Sequence, residues 1–85
     1  MATFTTIIHL HGANKTDYET LFNRLEKEVL KSNCRIMKGI QNVDGKSEYK
    51  WRGNISIREI TDLIFRSLSG AGRRFSFTIS RQEQV

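Results

Sequence analysis

Residues 44–59 read Asp44-Gly45-Lys46-Ser47-Glu48-Tyr49-Lys50-Trp51-Arg52-Gly53-Asn54-Ile55-Ser56-Ile57-Arg58-Glu59. Turn, strand and helix follow one another in that run. Asp44-Gly45, between two strand-like segments, signals a two-residue type I′ hairpin, in which both turn positions need positive φ. Ser47 to Gly53 then alternates, with Tyr49 and Trp51 on one side and Glu48, Lys50 and Arg52 on the other. Ser56 is followed three positions later by Glu59. That spacing is a capping box: the hydroxyl accepts from an amide of the first turn, and the carboxylate reaches back to the cap's own amide. Behind it Ile57, Ile60, Ile64 and Leu68, with Leu63 beside them, recur at helical spacing.

The same logic extends in both directions. Upstream, residues 34–42 form the other arm of the hairpin. Cys34, Ile36 and Ile40 share a face there with Lys38, which breaks the alternation. Thr16-Asp17-Tyr18-Glu19 reads as a second capping box, opening a helix from about Asp17 to Ser32 with a stripe of Tyr18, Leu21, Phe22, Leu25 and Val29. Lys27 and Lys31 fall in its last turns, where the macrodipole favours cations, and Asn33 is a candidate left-handed cap. Residues 3–11 alternate as a strand: Phe4, Thr6, Ile8 and Leu10 against Thr5, Ile7, His9 and His11. Downstream, Gly70 and Gly72 stop the second helix. Arg74 to Ser80 alternates Phe75, Phe77 and Ile79 against Arg74, Ser76, Thr78 and Ser80, and residues 81–85 read as a frayed tail.

The predicted order is strand, helix, strand, strand, helix, strand. Each helix has one apolar stripe, so both must cover the same sheet face. Right-handed crossovers then fold the order as an α+β, ferredoxin-like βαββαβ sandwich, with four antiparallel strands in order 4-1-3-2 and two helices on one face. The inner face is expected to hold Phe4, Ile8, Leu10, Tyr49, Trp51, Phe75, Phe77 and Ile79. The outer face is expected to hold Ile7, His9, Arg35, Met37, Lys50, Arg52, Arg74, Ser76 and Thr78.

At 85 residues, the chain is expected to form one domain, 1–85. A domain of this size buries only about two-thirds of its unfolded surface, so its stability is narrow. No apolar run is long enough to span a membrane, and Met1 to Leu10 does not read as a signal peptide, because it lacks a basic flank and Thr3, Thr5 and Thr6 interrupt it. Cys34 is the single cysteine, which excludes an internal disulfide and points to a reducing, cytoplasmic setting.

The net charge of +5 is unevenly placed. Residues 1–32 carry four basic and four acidic side chains, and residues 56–71 carry Arg58 and Arg66 against Glu59 and Asp62, so both segments are neutral. Residues 33–55 have Arg35, Lys38, Lys46, Lys50 and Arg52 against Asp44 and Glu48, or +3; residues 72–85 have Arg73, Arg74 and Arg81 against Glu83, or +2. The excess therefore sits on strands and their turns. A polyanion-binding face has that signature, and so does a surface charged for solubility.

An open basic sheet face on this architecture points to single-stranded RNA. The outward aromatics of a conventional RNA-recognition motif are missing, which leaves phosphate contacts by Arg35, Lys50, Arg52 and Arg74. His9 and His11 lie two apart on one strand face. Two imidazoles can serve as general base and acid on a ribose 2′-hydroxyl and its phosphate without metal or cofactor, although solvated polar residues on an exposed strand have the same pattern. A metal site would need further ligands, and none is indicated. Asp17, Asp44 and Asp62 have structural explanations in a first helical turn, the hairpin turn, and pairing with Arg58 and Arg66. Cys34 has the parity of a packed residue, and Ser69-Gly70-Ala71-Gly72-Arg73 follows a helix rather than a strand, so it reads as a stop.

Over most of its length the chain resembles the GhoS-type family of endoribonuclease antitoxins from type V toxin–antitoxin systems. The resemblance rests on Ala2-Thr3-Phe4-Thr5-Thr6, Asp17-Tyr18-Glu19, Asp44-Gly45, Ser47-Glu48-Tyr49 and Gly53-Asn54-Ile55-Ser56. It implies a ferredoxin-like fold akin to small CRISPR-associated nucleases and cleavage of a toxin messenger RNA. Those nucleases place an Asp near the end of the first strand, where this chain has His9-Leu10-His11-Gly12. Two readings stand at this point. One is RNA binding with metal-independent endoribonuclease activity. The other is a non-catalytic interaction or regulatory module, phage-encoded and homodimeric through its free edge strands.

Overall fold

A computed structural model describes residues 2–32, 34–41, 43–69 and 74–82. The elements run β1 (Ala2–Leu10), α1 (Lys15–Val29), β2 (Cys34–Lys38), β3 (Lys46–Gly53), α2 (Ile57–Leu68) and β4 (Phe75–Gln82). The four strands form one antiparallel sheet in the order β2-β3-β1-β4, the predicted 4-1-3-2 order named from the other edge. Phe4, Ile8, Leu10, Ile36, Tyr49 and Trp51 of the sheet are buried with Leu21, Leu25 and Val29 of α1 and Ile60, Ile64 and Leu68 of α2. The opposite side chains of the strands are exposed or half-buried, so both helices lie on one face.

One polar residue belongs to the apolar face. Thr6 is fully buried, and its hydroxyl accepts the Trp51 indole N–H at 3.0 Å. That bond removes the cost of burying the tryptophan's donor. Tyr18 does similar work at the end of β1: its hydroxyl accepts the Leu10 amide at 2.9 Å and donates to the Gly45 carbonyl. One side chain of α1 thereby ties the end of β1 to the hairpin tip. The hairpin is of the predicted type, with positive φ at Asp44 (54°) and Gly45 (72°), and Val43 and Lys46 exchange both backbone hydrogen bonds.

Several expectations are corrected. The α2 box is Ser56–Glu59 as read, but α1 is capped two residues earlier than expected, by Asn14 with Asp17 at its third position. Asn14 Oδ1 accepts the Asp17 amide and Asp17 Oδ2 accepts the Asn14 amide, each at 3.0 Å. β2 ends at Lys38, not residue 42. Beyond it the Gly39 amide donates to the Glu48 carbonyl while the Glu48 amide donates to the Ile40 carbonyl, so two residues oppose one in a β-bulge. The bulge turns Ile40 out to 62% exposure. Lys38 keeps its inward parity at the sheet edge by laying its ammonium 4.8 Å from the Phe22 ring centroid. Ile57, at the start of its helix, is outside the core at 48% exposure. Arg66 reaches Glu28 of α1 at 3.8 Å rather than pairing with Asp62. Arg81 and Gln82 belong to β4, where they pair with Phe4 and Thr3, so the expected tail is shorter. The Asn33 cap, the Gly70–Gly72 stop and the rest of the tail lie outside the described residues.

Candidate nucleic-acid interface

The sheet register places every outward residue. Across β2, β3 and β1, Arg35, Arg52 and Thr3 form one row, and Met37, Lys50 and Thr5 the next. Glu48 and Ile7 follow, and the last row is Lys46, His9 and, on β4, Ser76. Arg74 lies just past that end, its carbonyl accepting the His11 amide at 2.9 Å. The residues expected to hold phosphate therefore form two groups. Arg35, Lys50 and Arg52 sit together at the β2–β3 end, while Arg74 stands with His9 and His11. Arg52 and Lys46 are six positions apart along β3, roughly 20 Å at strand rise.

Arg35 and Arg52 are direct cross-strand partners. Like charges so placed are unfavourable by a few tenths of a kcal/mol to about 1 kcal/mol, unless an anion lies between them. Among the described residues the ion pair within 4 Å is Arg66–Glu28, on the helical side, so no carboxylate neutralises this pair.

The two imidazoles are brought together, with ring centroids 4.3 Å apart and planes tilted by 35°. His9 packs against the hairpin, where a side chain added at Gly45 would stand 3.3 Å from its Nε2. His9 thus lies against the turn that Tyr18 holds. Lys46, directly across from His9, adds a cation that the sequence reading did not assign to the site. No local signal carried that, since the β1–β3 register joins strands far apart in sequence. Among the described residues no three of His, Cys, Asp and Glu gather as a metal site requires.

The face also has an apolar part. Ile7, Ile40, Val43, Asp44, Lys46, Ser47 and Glu48 line a shallow hollow of about 210 Å³, below the range of roughly 300–1,000 Å³ typical of drug-sized ligand sites. Cys34 is half-buried, and burial pushes its thiol up, away from the nucleophilic thiolate. Asp17 is engaged in the α1 cap and Asp44 forms the turn.

No protein-family model matches the chain. Among curated proteins, too, there is no match. Solved structures do match. The de novo designed protein LFR1 1, with a ferredoxin fold, has a TM-score of 0.62 at 18% identity, over 99% of this chain and 86% of its own. The designed protein Foldit4 gives 0.55 at 13% identity, over 95% and 99%, and the designed protein Ferredog-Diesel gives 0.54 at 15% identity, over 92% and 84%. At these identities the likeness is one of fold, and the fold is ferredoxin-like.

Proposed function

We propose that the chain binds single-stranded RNA on the outer face of its sheet and cleaves it with His9 and His11, as a cytoplasmic antitoxin of the GhoS type acting on a toxin messenger RNA. The observation that carries this reading is the paired imidazoles, 4.3 Å apart, at the end of an open face bearing Arg35, Lys50 and Arg52. The rings lie side by side, so a phosphate would rest against their exposed edges next to Lys46. One imidazole takes the 2′-hydroxyl proton as O2′ attacks phosphorus. The bond to the 5′-oxygen breaks, and the other imidazole, charged, gives that oxygen its proton. The products are a 2′,3′-cyclic phosphate and a 5′-hydroxyl. One ring must be neutral and the other charged, so the rate falls on both sides of an optimum pH.

The test is cleavage of a long RNA by wild-type protein and by the His9→Ala/His11→Ala double variant, each with and without EDTA. Cleavage by wild type alone, unaffected by EDTA, is expected. Cleavage abolished by EDTA rejects the metal-free route, and cleavage unchanged in the double variant rejects the histidines. Binding is tested separately: Lys50→Ala and Arg52→Ala should each weaken RNA retention and flatten its salt dependence by about one unit of slope.

A second reading is favoured by one observation, the apolar patch of Ile7, Ile40 and Val43 that interrupts the basic face. It describes a non-catalytic interaction or regulatory module, phage-encoded, that uses this face for a protein partner. Salt-insensitive failure to retain RNA, together with no cleavage at high protein concentration, would leave this reading standing.

A further inference from the structure

The two edges of the sheet are differently protected. β2 is five residues long, carries Arg35 and Lys38, and ends in the Gly39–Ile40 bulge. Short length, cations and bulges are the devices that keep an edge strand from pairing with another chain. β4 has neither the shortness nor the bulge, and its one cation, Arg81, comes at the seventh of its eight residues. It runs eight residues, Phe75-Ser76-Phe77-Thr78-Ile79-Ser80-Arg81-Gln82, with no proline, and no charge before Arg81.

The backbone of that edge can be oriented. His11 donates its amide to the Arg74 carbonyl, and the β1–β4 register continues in step from Leu10–Phe75. Hydrogen-bonded and non-bonded pairs alternate in an antiparallel ladder. Arg74, Ser76, Thr78 and Ser80 therefore turn their amides and carbonyls toward β1. Phe75, Phe77, Ile79 and Arg81 turn theirs toward the open edge, where no described strand pairs with them. Above this edge Phe65 of α2 is 51% exposed, its ring 5.5 Å from those of both Phe75 and Phe77, which are themselves half-buried.

We propose that β4 pairs antiparallel with β4 of a second copy, across a two-fold axis at Thr78, forming a continuous eight-stranded sheet. In that register Phe77 of each copy opposes Ile79 of the other, Phe75 opposes Arg81, and all four edge-facing residues find partners. On the outer face Thr78 meets Thr78 and Ser76 meets Ser80. No like charges fall opposite each other although the chain carries +5. That decides for self-pairing at this edge and against contact through the outer face, where Arg35 and Arg52 would repel their copies. Phe65 of each copy, standing over Phe75 and Phe77, comes beside Ile79 and Arg81 of the other strand and becomes covered.

Sedimentation velocity from micromolar to millimolar protein tests the idea, with a concentration-dependent dimer expected. Thr78 is exposed, so Thr78→Lys leaves the monomer folded while placing two ammonium groups opposite each other. It should raise the dissociation constant by about tenfold or more. The register is tested in a Cys34→Ser background. A non-hydrogen-bonded pair has Cα atoms about 4.5 Å apart, within disulfide reach, so Thr78→Cys should cross-link copies on mild oxidation and Ser76→Cys should not. A monomer throughout overturns the proposal, as does a dimer indifferent to Thr78→Lys. Equal cross-linking at both positions overturns the register. RNA retention is scored independently on the same samples, so either idea can fail alone.

Discussion

Tyr18 sets the geometry around the imidazoles from outside the candidate face. Its hydroxyl joins the Leu10 amide to the Gly45 carbonyl, and His9 lies against Gly45. Tyr18→Phe keeps the ring but strands a buried amide, so it should cost about 1–3 kcal/mol in urea unfolding. It should also move the His9 ring resonances in an NMR spectrum, which a purely distant packing loss would not do. Tyr49 offers a second test, by pH. It is fully buried against Phe22, and burial pushes its phenol up to about 12, partly offset by the Ser47 hydroxyl. The unfolded phenol loses its proton near 10, so above that pH the unfolded state binds fewer protons than the folded one. Stability should therefore fall from about pH 10 to about pH 12, by up to roughly 2–3 kcal/mol. Equilibrium unfolding at intervals of pH, with phenolate absorbance followed in parallel, checks it. The bonding of Tyr18 was not legible in the sequence. The helical stripe showed that Tyr18 faces inward, but its partners come from segments 8 and 27 residues away.

At the scale of elements, the two helix starts make a controlled comparison. The sequence contains overlapping boxes, Asn14–Asp17 and Thr16–Glu19, and local chemistry does not choose between them. The choice is made by the chain before it: the Ala13 amide donates to the Leu10 carbonyl at 3.3 Å, turning the backbone straight from β1 into the helix. Asn14→Ala should thus cost about 1 kcal/mol, and Thr16→Ala, inside the first turn, only a few tenths, measured by thermal or chemical unfolding. For α2 there was no overlap, and Ser56–Glu59 was legible outright. Strand parity was equally legible in β1, β3 and β4. It failed in β2 after Lys38, because a bulge resets the period and period counting assumes none. Gly39 was the local sign: a side chain there would collide with the Glu48 carboxylate.

At the scale of the molecule, β1 lies between β3 and β4, so the first described strand is central and the last, β4, pairs with it at an edge. The strand-confined charge could be read from composition, and with it the outer face. Its division into an Arg35–Lys50–Arg52 group and an Arg74–His9–His11 group could not, because that depends on register across strands far apart in sequence. The bulge likewise brought Ile40, which parity had put on the side of Ile36, into the exposed apolar patch of Ile7 and Val43.

Trp51 sits at the centre of this arrangement, fully buried, its N–H held by Thr6, one residue from both Lys50 and Arg52 on the opposite face. As the single tryptophan it is a built-in optical probe. Its fluorescence in the folded protein should be blue-shifted and shielded from acrylamide, and should shift to the red on unfolding. The sheet separates the indole from anything docked on the outer face, so RNA should bind without quenching it. A change in emission on adding RNA would report a rearrangement of the core, whereas a silent titration accompanied by retention would show a rigid sheet used as a platform.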